Sequence, residues 1–271
     1  MSSTAPAPSG SPGPPSAPSA PSASAAPSLA APKAVVAPAA NGGFDYQIGG
    51  PYAPAANVRV VSRDRGARPE PGLYNVCYVN AFQAQPDALA WWEKEHPDLL
   101  LRKGGKVVMD QDWGEALLDI STDAKRTALA GVVGDWIDDC ARKGFQAVEP
   151  DNLDSYSRSE GQLTIAHNVA FAQLLAKRAH SRGLAIAQKN TVEMLDRRAA
   201  IGFDFAVAEE CARYDECGAY ASAFADRVFV VEYTRADFDA GCREWGGRLA
   251  MVLRDRDVTP RGNSGHVYGG C

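Results

Sequence analysis

Strand and helix signals alternate along most of the chain, and the strands share one habit of ending in charge. The stretch Phe145 to Tyr156, reading FQAVEPDNLDSY, sets the pattern. Apolar Phe145, Ala147 and Val148 read as a buried strand, which breaks at Pro150 into Glu149, Asp151 and Asp154 with Asn152 among them. The habit recurs downstream: residues 184–187 run into Lys189 and Asn190, and 204–208 into Glu209 and Glu210. Residues 228–231 run into Glu232 and Tyr233, and 249–253 into Arg254 and Asp255. Upstream, residues 58–62 and 73–80 read as strands, the second a near-continuous β-former run of the kind buried on both faces. Residues 116–120 read as a further strand with Asp119 near its end. This places eight strands near residues 59, 74, 117, 147, 186, 206, 229 and 251, with the piece Phe44 to Gly50 outside the count.

Helical spacing fills the gaps. Leu129, Val132, Val133, Trp136 and Ile137 form one apolar stripe after an N-cap at Ser121, and Gly144 ends that helix. Val169, Phe171, Leu174, Leu175 and Ala179 form another, ended by Gly183. Shorter helices are expected near 87–95, 193–200, 219–225 and 236–245. Successive strands joined by helices or long connections suit parallel pairing, and eight of them predict a (β/α)8 TIM barrel over residues 42–271. A doubly wound open sheet is the alternative, but no strand is followed by GxGxxG.

Composition changes this picture at the N-terminus. Of the first 40 residues, 32 are Ala, Pro or Ser, and Lys33 is their only charged side chain. Such a segment has little to bury and much entropy to lose, so residues 1–41 are expected to be a disordered tether. The segment lacks the basic n-region and continuous apolar h-region of a signal peptide. No later run is apolar enough to cross a bilayer. The net charge of −5 weighs against nucleic acid as a partner and suits a neutral or cationic substrate.

Six cysteines at positions 77, 140, 211, 217, 242 and 271 include no CxxC pair. Three disulfides in an exported domain are the favoured reading: Cys77–Cys140, Cys211–Cys217 and Cys242–Cys271, out of 15 possible pairings. The four histidines are not spaced as zinc ligands with these cysteines.

The strand ends carry the candidate chemistry. A barrel gathers the carboxyl ends of its strands around one mouth, so Asp119, Glu149, Asp151, Lys189, Asn190, Glu209, Glu210, Glu232 and Asp255 are expected to converge. Packing like charges together costs free energy that a fold has no need to incur, whereas a paired general acid and nucleophile requires it. A carboxylate-bound Mg²⁺ or Ca²⁺ is the rival chemistry, and Lys189 would compete with it.

Taken together, VEPDNLDSY (148–156), KN (189–190), FDFAVAEEC through YDEC (203–217) and VEYT (231–234) resemble glycoside hydrolase family 114, the endo-α-1,4-polygalactosaminidase type. YNVCY (74–78), LLDI (117–120) and the strand around Tyr46 and Gln47 fit the same pattern. The resemblance implies a (β/α)8 barrel that cleaves α-1,4-linked galactosamine-containing polymers, without a cofactor or metal. It puts the catalytic carboxylates at Asp151, as nucleophile or base, and Glu209, as general acid. Tyr78, Asp119, Glu149, Asn152, Asp154, Lys189, Asn190, Glu232 and Tyr233 would shape the sugar subsites. Two departures stand near this site: VNAFQAQ follows Tyr78 in place of a Ser-Ala-Gly turn, and Ala208 replaces the usual Asn before the catalytic Glu. The expected protein is a monomer, secreted or tethered at the cell surface, acting on an amino-sugar polysaccharide. A non-catalytic polysaccharide-binding barrel is the alternative.

Overall fold

The computed structural model describes Met1 and residues 34–271. Most of the expected tether therefore lies outside the described residues. Residues 36–40 pack beside Arg59, Val60 and Tyr74, and the Tyr74 hydroxyl donates to the Val36 carbonyl at 2.6 Å.

Eight parallel strands form the barrel: β1 (Phe44–Gln47), β2 (Val60–Asp64), β3 (Tyr74–Asn80), β4 (Ala147–Asp151), β5 (Ala185–Lys189), β6 (Phe205–Glu209), β7 (Val228–Glu232) and β8 (Ala250–Arg254). They pair in chain order, and Tyr268–Gly270 adds an antiparallel strand beside β8. At the seam between β8 and β1, buried Arg254 faces buried Asp45 at 3.6 Å.

Eight is the expected number, but one member differs. The strand-like piece at Phe44 is β1 of the barrel. The expected strand near 117 instead pairs antiparallel with Gln83–Ala84 and Met109–Asp110, in a small sheet inserted between β3 and β4. The reason lies in connection length. The 48–59 and 65–73 connections contain no helix, so β1 lacks the pattern of a β/α unit. The helix Asp123–Lys143 follows the inserted sheet and serves β4, the next barrel strand. Its N-cap is Thr122, one residue beyond the expected Ser121, and the cap oxygen accepts from Lys125 N at 3.3 Å.

Side chains alternate along each barrel strand, as a strand's period of two requires. Phe44, Val76, Ala185, Ala187, Phe205, Val207, Phe229 and Val231 fill the interior. Cys77, Val79, Val148, Ile186, Ala206, Ala208, Val228 and Val230 face the surrounding helices. This parity decides which strand-end residues reach the mouth.

All three expected disulfides are present: Cys77–Cys140, Cys211–Cys217 and Cys242–Cys271. The first ties β3 to the helix Asp123–Lys143 across 63 residues. By loop-closure entropy, replacing both cysteines with Ala costs about 4 kcal/mol. Urea unfolding of the double variant measures the loss, and an unchanged midpoint would contradict it.

Candidate active site

The interior of the barrel turns polar one layer below the mouth. Glu149, fully buried, points inward from β4, where it accepts from the Tyr46 hydroxyl at 2.8 Å and from Ser62 at 2.6 Å. Burial pushes its pKa up, and the ammonium of Lys189, 3.3 Å away, pulls it down again. The net direction is upward. Glu149 is thus a support beneath the site and does not line the opening.

Lys189 is the centre of the arrangement. Its Nζ lies 3.0 Å from Asp151 Oδ1, 3.3 Å from Glu209 Oε2 and 3.0 Å from the Tyr46 hydroxyl. Burial alone would strip its proton, but Asp151, Glu209 and Glu149 together hold its pKa well above the ordinary lysine value. One permanent cation therefore serves three carboxyl groups.

Asp151 stands one residue pair above Glu149 on the same inward face. Its Oδ2 accepts from the Tyr78 hydroxyl at 2.6 Å. Burial favours its neutral form, yet Lys189 and the Tyr78 hydroxyl outweigh burial and hold its pKa below the ordinary value. Glu209 is gripped from two sides. The Asn190 amide donates to Glu209 Oε2 at 2.9 Å while its carbonyl accepts from Glu209 N at 2.8 Å, and the Tyr233 hydroxyl donates to Oε1. Both carboxyl groups thus share the Lys189 ammonium, with Tyr78 completing the hold on Asp151 and Asn190 and Tyr233 the hold on Glu209.

The backbone leaves the strands sharply at this level. Asn152, Asn190 and Glu210, each following an inward polar residue, have φ of 63°, 49° and 57°. Asn tolerates this left-handed region; Glu seldom adopts it. Glu210 is held there by ion pairs to Arg213 and Arg256. Such turns end each strand at once and keep the last inward side chain at the rim. Gly49 matters for another reason, since a Cβ there would lie 2.5 Å from the Val258 carbonyl oxygen. Its absence lets the loops after β1 and β8 meet beside the opening.

The opening is a pocket of about 410 Å³. Tyr78, Asp151, Asn152, Asp154, Lys189, Asn190, Glu209 and Tyr233 line it, so eight of the eleven expected site residues converge there. Asp154 takes a two-pronged ion pair from Arg158, with distances of 2.7 and 2.8 Å.

Two expected residues lie elsewhere. Asp119 belongs to no barrel strand; it accepts from Ser121 N at 3.0 Å and pairs with Lys125, organising the start of the helix Asp123–Lys143. Glu232 ends β7, but with the outward parity of Val228 and Val230. Its Oε1 accepts from Ala212 N at 2.8 Å, and its other oxygen is buried without a partner. Glu232, Cys211 and Cys217 lie within 4.8 Å of one another, but the two sulfurs are bonded together and present no thiolate to a metal. Burial pushes the Glu232 pKa up to about 7. A carboxyl whose folded pKa exceeds its unfolded value stabilises the fold below the unfolded pKa, near 4.5, and loses that contribution as pH rises through 7. Relative to Glu232→Gln, the natural protein should therefore lose roughly 2 kcal/mol of stability between about pH 5 and pH 8. Urea unfolding at both pH values measures this, and parallel changes in the two proteins would refute it.

Several residues at the site do not stand at strand ends. Tyr46 and Ser62 lie mid-strand, where inward polar side chains look like ordinary strand residues. Glu115, Trp113 and Arg158 come from the inserted sheet and the loop after β4, and Arg256 from the loop after β8. Parity could have found Tyr46, which lies two residues from Phe44 on one face.

Known proteins share this architecture. The crystal structure of Aspergillus fumigatus Ega3 in complex with galactosamine superposes with a TM-score of 0.70 at 23% identity, covering 88% of this chain and 98% of that one. The glycoside hydrolase domain of PelA from Pseudomonas aeruginosa superposes with a TM-score of 0.58 at 16% identity, covering 82% and 97%. No curated protein matches the chain. The model of glycoside-hydrolase family GH114 matches residues 24–271. With nearly the whole chain matched and a carboxylate pair at the mouth of its barrel, the protein belongs to family GH114 and is a glycoside hydrolase.

Proposed function

We propose that the protein hydrolyses an α-1,4-linked galactosamine-containing polysaccharide with retention of configuration, using Asp151 as nucleophile and Glu209 as general acid and base. The observation that carries this reading is the ammonium shared between them. Because Lys189 Nζ lies 3.0 Å from one carboxyl oxygen and 3.3 Å from the other, those oxygens are close together. The two contacts limit the separation of those oxygens to about 6.3 Å, just below the roughly 6.5–9.5 Å that leaves room for an attacking water in an inverting enzyme.

In the first step Glu209 gives its proton to the glycosidic oxygen as the C1–O bond breaks. Asp151 attacks C1 from the opposite face, giving a glycosyl ester. In the second step Glu209 takes a proton from water, the water attacks C1, and the ester bond breaks to release Asp151 as a carboxylate. Tyr78 and Lys189 hold Asp151 charged and aimed; Asn190 and Tyr233 fix Glu209. Lys189 occupies the position that a divalent cation would need among the carboxylates, which favours a metal-free mechanism.

Six carboxyl groups line the pocket, from Asp64, Glu115, Asp151, Asp154, Glu209 and Asp257, against the three cations Arg158, Lys189 and Arg256. An excess of negative charge draws in a partly or fully de-N-acetylated, cationic polymer. The galactosamine bound to Ega3 agrees with that substrate class. Three disulfides suit an oxidising compartment, so the enzyme is read as secreted or held at the cell surface by its Ala/Pro/Ser-rich N-terminus.

The test is reducing-end release from acetylated and de-N-acetylated α-1,4-galactosaminan, with the anomer of the new ends followed by NMR. Initial release of the α-anomer is expected. Initial β-anomer would refute retention, and binding without release would favour the polysaccharide-binding barrel.

A further inference from the structure

The inserted sheet between β3 and β4 does not complete the barrel, yet its turn stands at the edge of the pocket. Trp113 is at the tip of that turn and is 57% exposed, although it lines the opening. Glu115, on the strand leading away, lines it too. The turn is shaped by its own residues: Asp110 Oδ1 accepts from Asp112 N at 3.0 Å, its carbonyl accepts from Gly114 N at 2.9 Å, and Gly114 has φ of 66°.

Three contacts fix the turn to the catalytic level. The Asn152 amide, next to Asp151 in sequence, donates to Glu115 Oε2 at 3.0 Å. Arg158 lies 2.7 Å from buried Asp110 and also donates to Asn152 Oδ1 at 3.2 Å. Gln83 donates to Asp110 at 3.2 Å. The tryptophan thus projects from a rigid support, tied to the strand that carries Asp151. A structural role explains the buried Asp110 but not the indole left in solvent. The Glu115 carboxyl accepts from the neutral Asn152 amide and is ion-paired to no cation among the described residues.

We propose that Trp113 and Glu115 form a sugar-binding subsite beside the cleavage point, with the indole packing on the apolar face of a hexosamine ring and the Glu115 carboxylate taking its ammonium group. This rests on the reading of the protein as a hydrolase of amino-sugar polymers, and extends it to the residues that select the free amine. The chemistry is complementary on both sides. A protonated amino sugar presents C–H groups and a cation to the π-face, and its ammonium donates a charge-assisted hydrogen bond to the Glu115 carboxylate. An N-acetylated ring would keep the stacking contact and lose the ion pair. Burial raises the pKa of Glu115, and a neighbouring ammonium would bring it back down, so binding of the cationic sugar should keep that carboxyl charged.

The experiment is calorimetric titration of the full chain with a de-N-acetylated α-1,4-galactosamine oligomer and with its acetylated form, alongside reducing-end release. Trp113→Ala should bind the cationic oligomer about tenfold more weakly, and Trp113→Phe should recover most of the loss. Glu115→Gln keeps the bond from Asn152 and should lower affinity for the free amine about tenfold while leaving the acetylated oligomer unchanged. Equal thermal stability of the three variants would exclude a folding defect, as expected for residues at a surface turn. Cleavage by the natural protein with unaltered binding in all three variants would overturn the subsite and leave the hydrolase reading intact. Binding that weakens as expected, without any cleavage, would uphold the subsite and refute the hydrolysis. Absence of both binding and cleavage in the natural protein would refute the two together.

Discussion

Asp151→Asn and Glu209→Gln should each lower kcat on galactosaminan by about three orders of magnitude. Both substitutions preserve shape and hydrogen bonding while removing a charge or a transferable proton. Asn at 151 can still accept from Tyr78 but cannot form the glycosyl ester, so the two-step route is closed. Gln at 209 can still be held by Asn190 and Tyr233 but cannot protonate the leaving oxygen; acid–base assistance of this kind contributes about 10²–10⁴ in rate. Losses from residues that act together do not add, so the double variant should be little worse than the poorer single one. A substrate with an activated leaving group separates the roles, because it needs no proton in the first step. Glu209→Gln should form the intermediate from it at near-normal rate, whereas Asp151→Asn should not. Single-turnover kinetics with an aryl galactosaminide reads this directly. Equal impairment of both variants on that substrate would overturn the assignment of roles.

Lys189→Met should be damaging in a different way. The natural lysine brings one positive charge within 3.3 Å of Glu149, Asp151 and Glu209. Removing it leaves a fully buried carboxylate facing two others without a counter-charge. Breaking one side of a buried ion pair typically costs about 3–5 kcal/mol, and this lysine serves three partners. Chemical denaturation should show a loss in that range near neutral pH. The pH dependence gives a sharper check. Glu149 already has a raised pKa, and loss of Lys189 raises it further. A folded pKa above the unfolded value means stability that is present below about pH 4.5 and lost as pH rises through the folded pKa. The variant should therefore regain part of its deficit in mild acid, and Lys189→Met combined with Glu149→Gln should be more stable than Lys189→Met alone. If stability of Lys189→Met is flat with pH, Glu149 does not depend on the lysine as described.

The residues behind these two predictions are legible in the amino-acid sequence to different degrees. Asp151 and Glu209 stand out because a strand of apolar residues rarely ends in several carboxylates for structural reasons, and the motifs around them are those of the family. Lys189 is visible as a basic residue at a strand end, but its position between three carboxyl groups is not. That position depends on the register of β4, β5 and β6, which no single strand encodes. Glu149 reads like its neighbours along the chain, yet it lies one layer lower and is covered. Glu232 shows where strand-end reasoning needs parity as well: Phe229, Val231 and Tyr233 share one face, which leaves Glu232 on the other. Alternation in residues 228–233 carries that information, and it separates the residue that touches Glu209 from the one buried behind the sheet.

By itself the sequence determined the class of fold and set Asp151 and Glu209 at strand ends, because both depend on local or repeated patterns, and it favoured the three cysteine pairs among 15 without fixing them. Buried strands are apolar, helices carry a stripe, and mouth residues come last in their strands. Only the tertiary structure decided which eight strands close the barrel, because the connections after β1 and β2 lack the helices by which a β/α unit is recognised. It also decided that Asp119 serves a helix terminus, and that Trp113 and Glu115 reach the opening from an inserted sheet. Contacts such as that of Glu115 with Asn152 join residues tens of positions apart at the barrel's rim. Their free energy is realised only once the chain has closed, so nothing in the local pattern of residues records them.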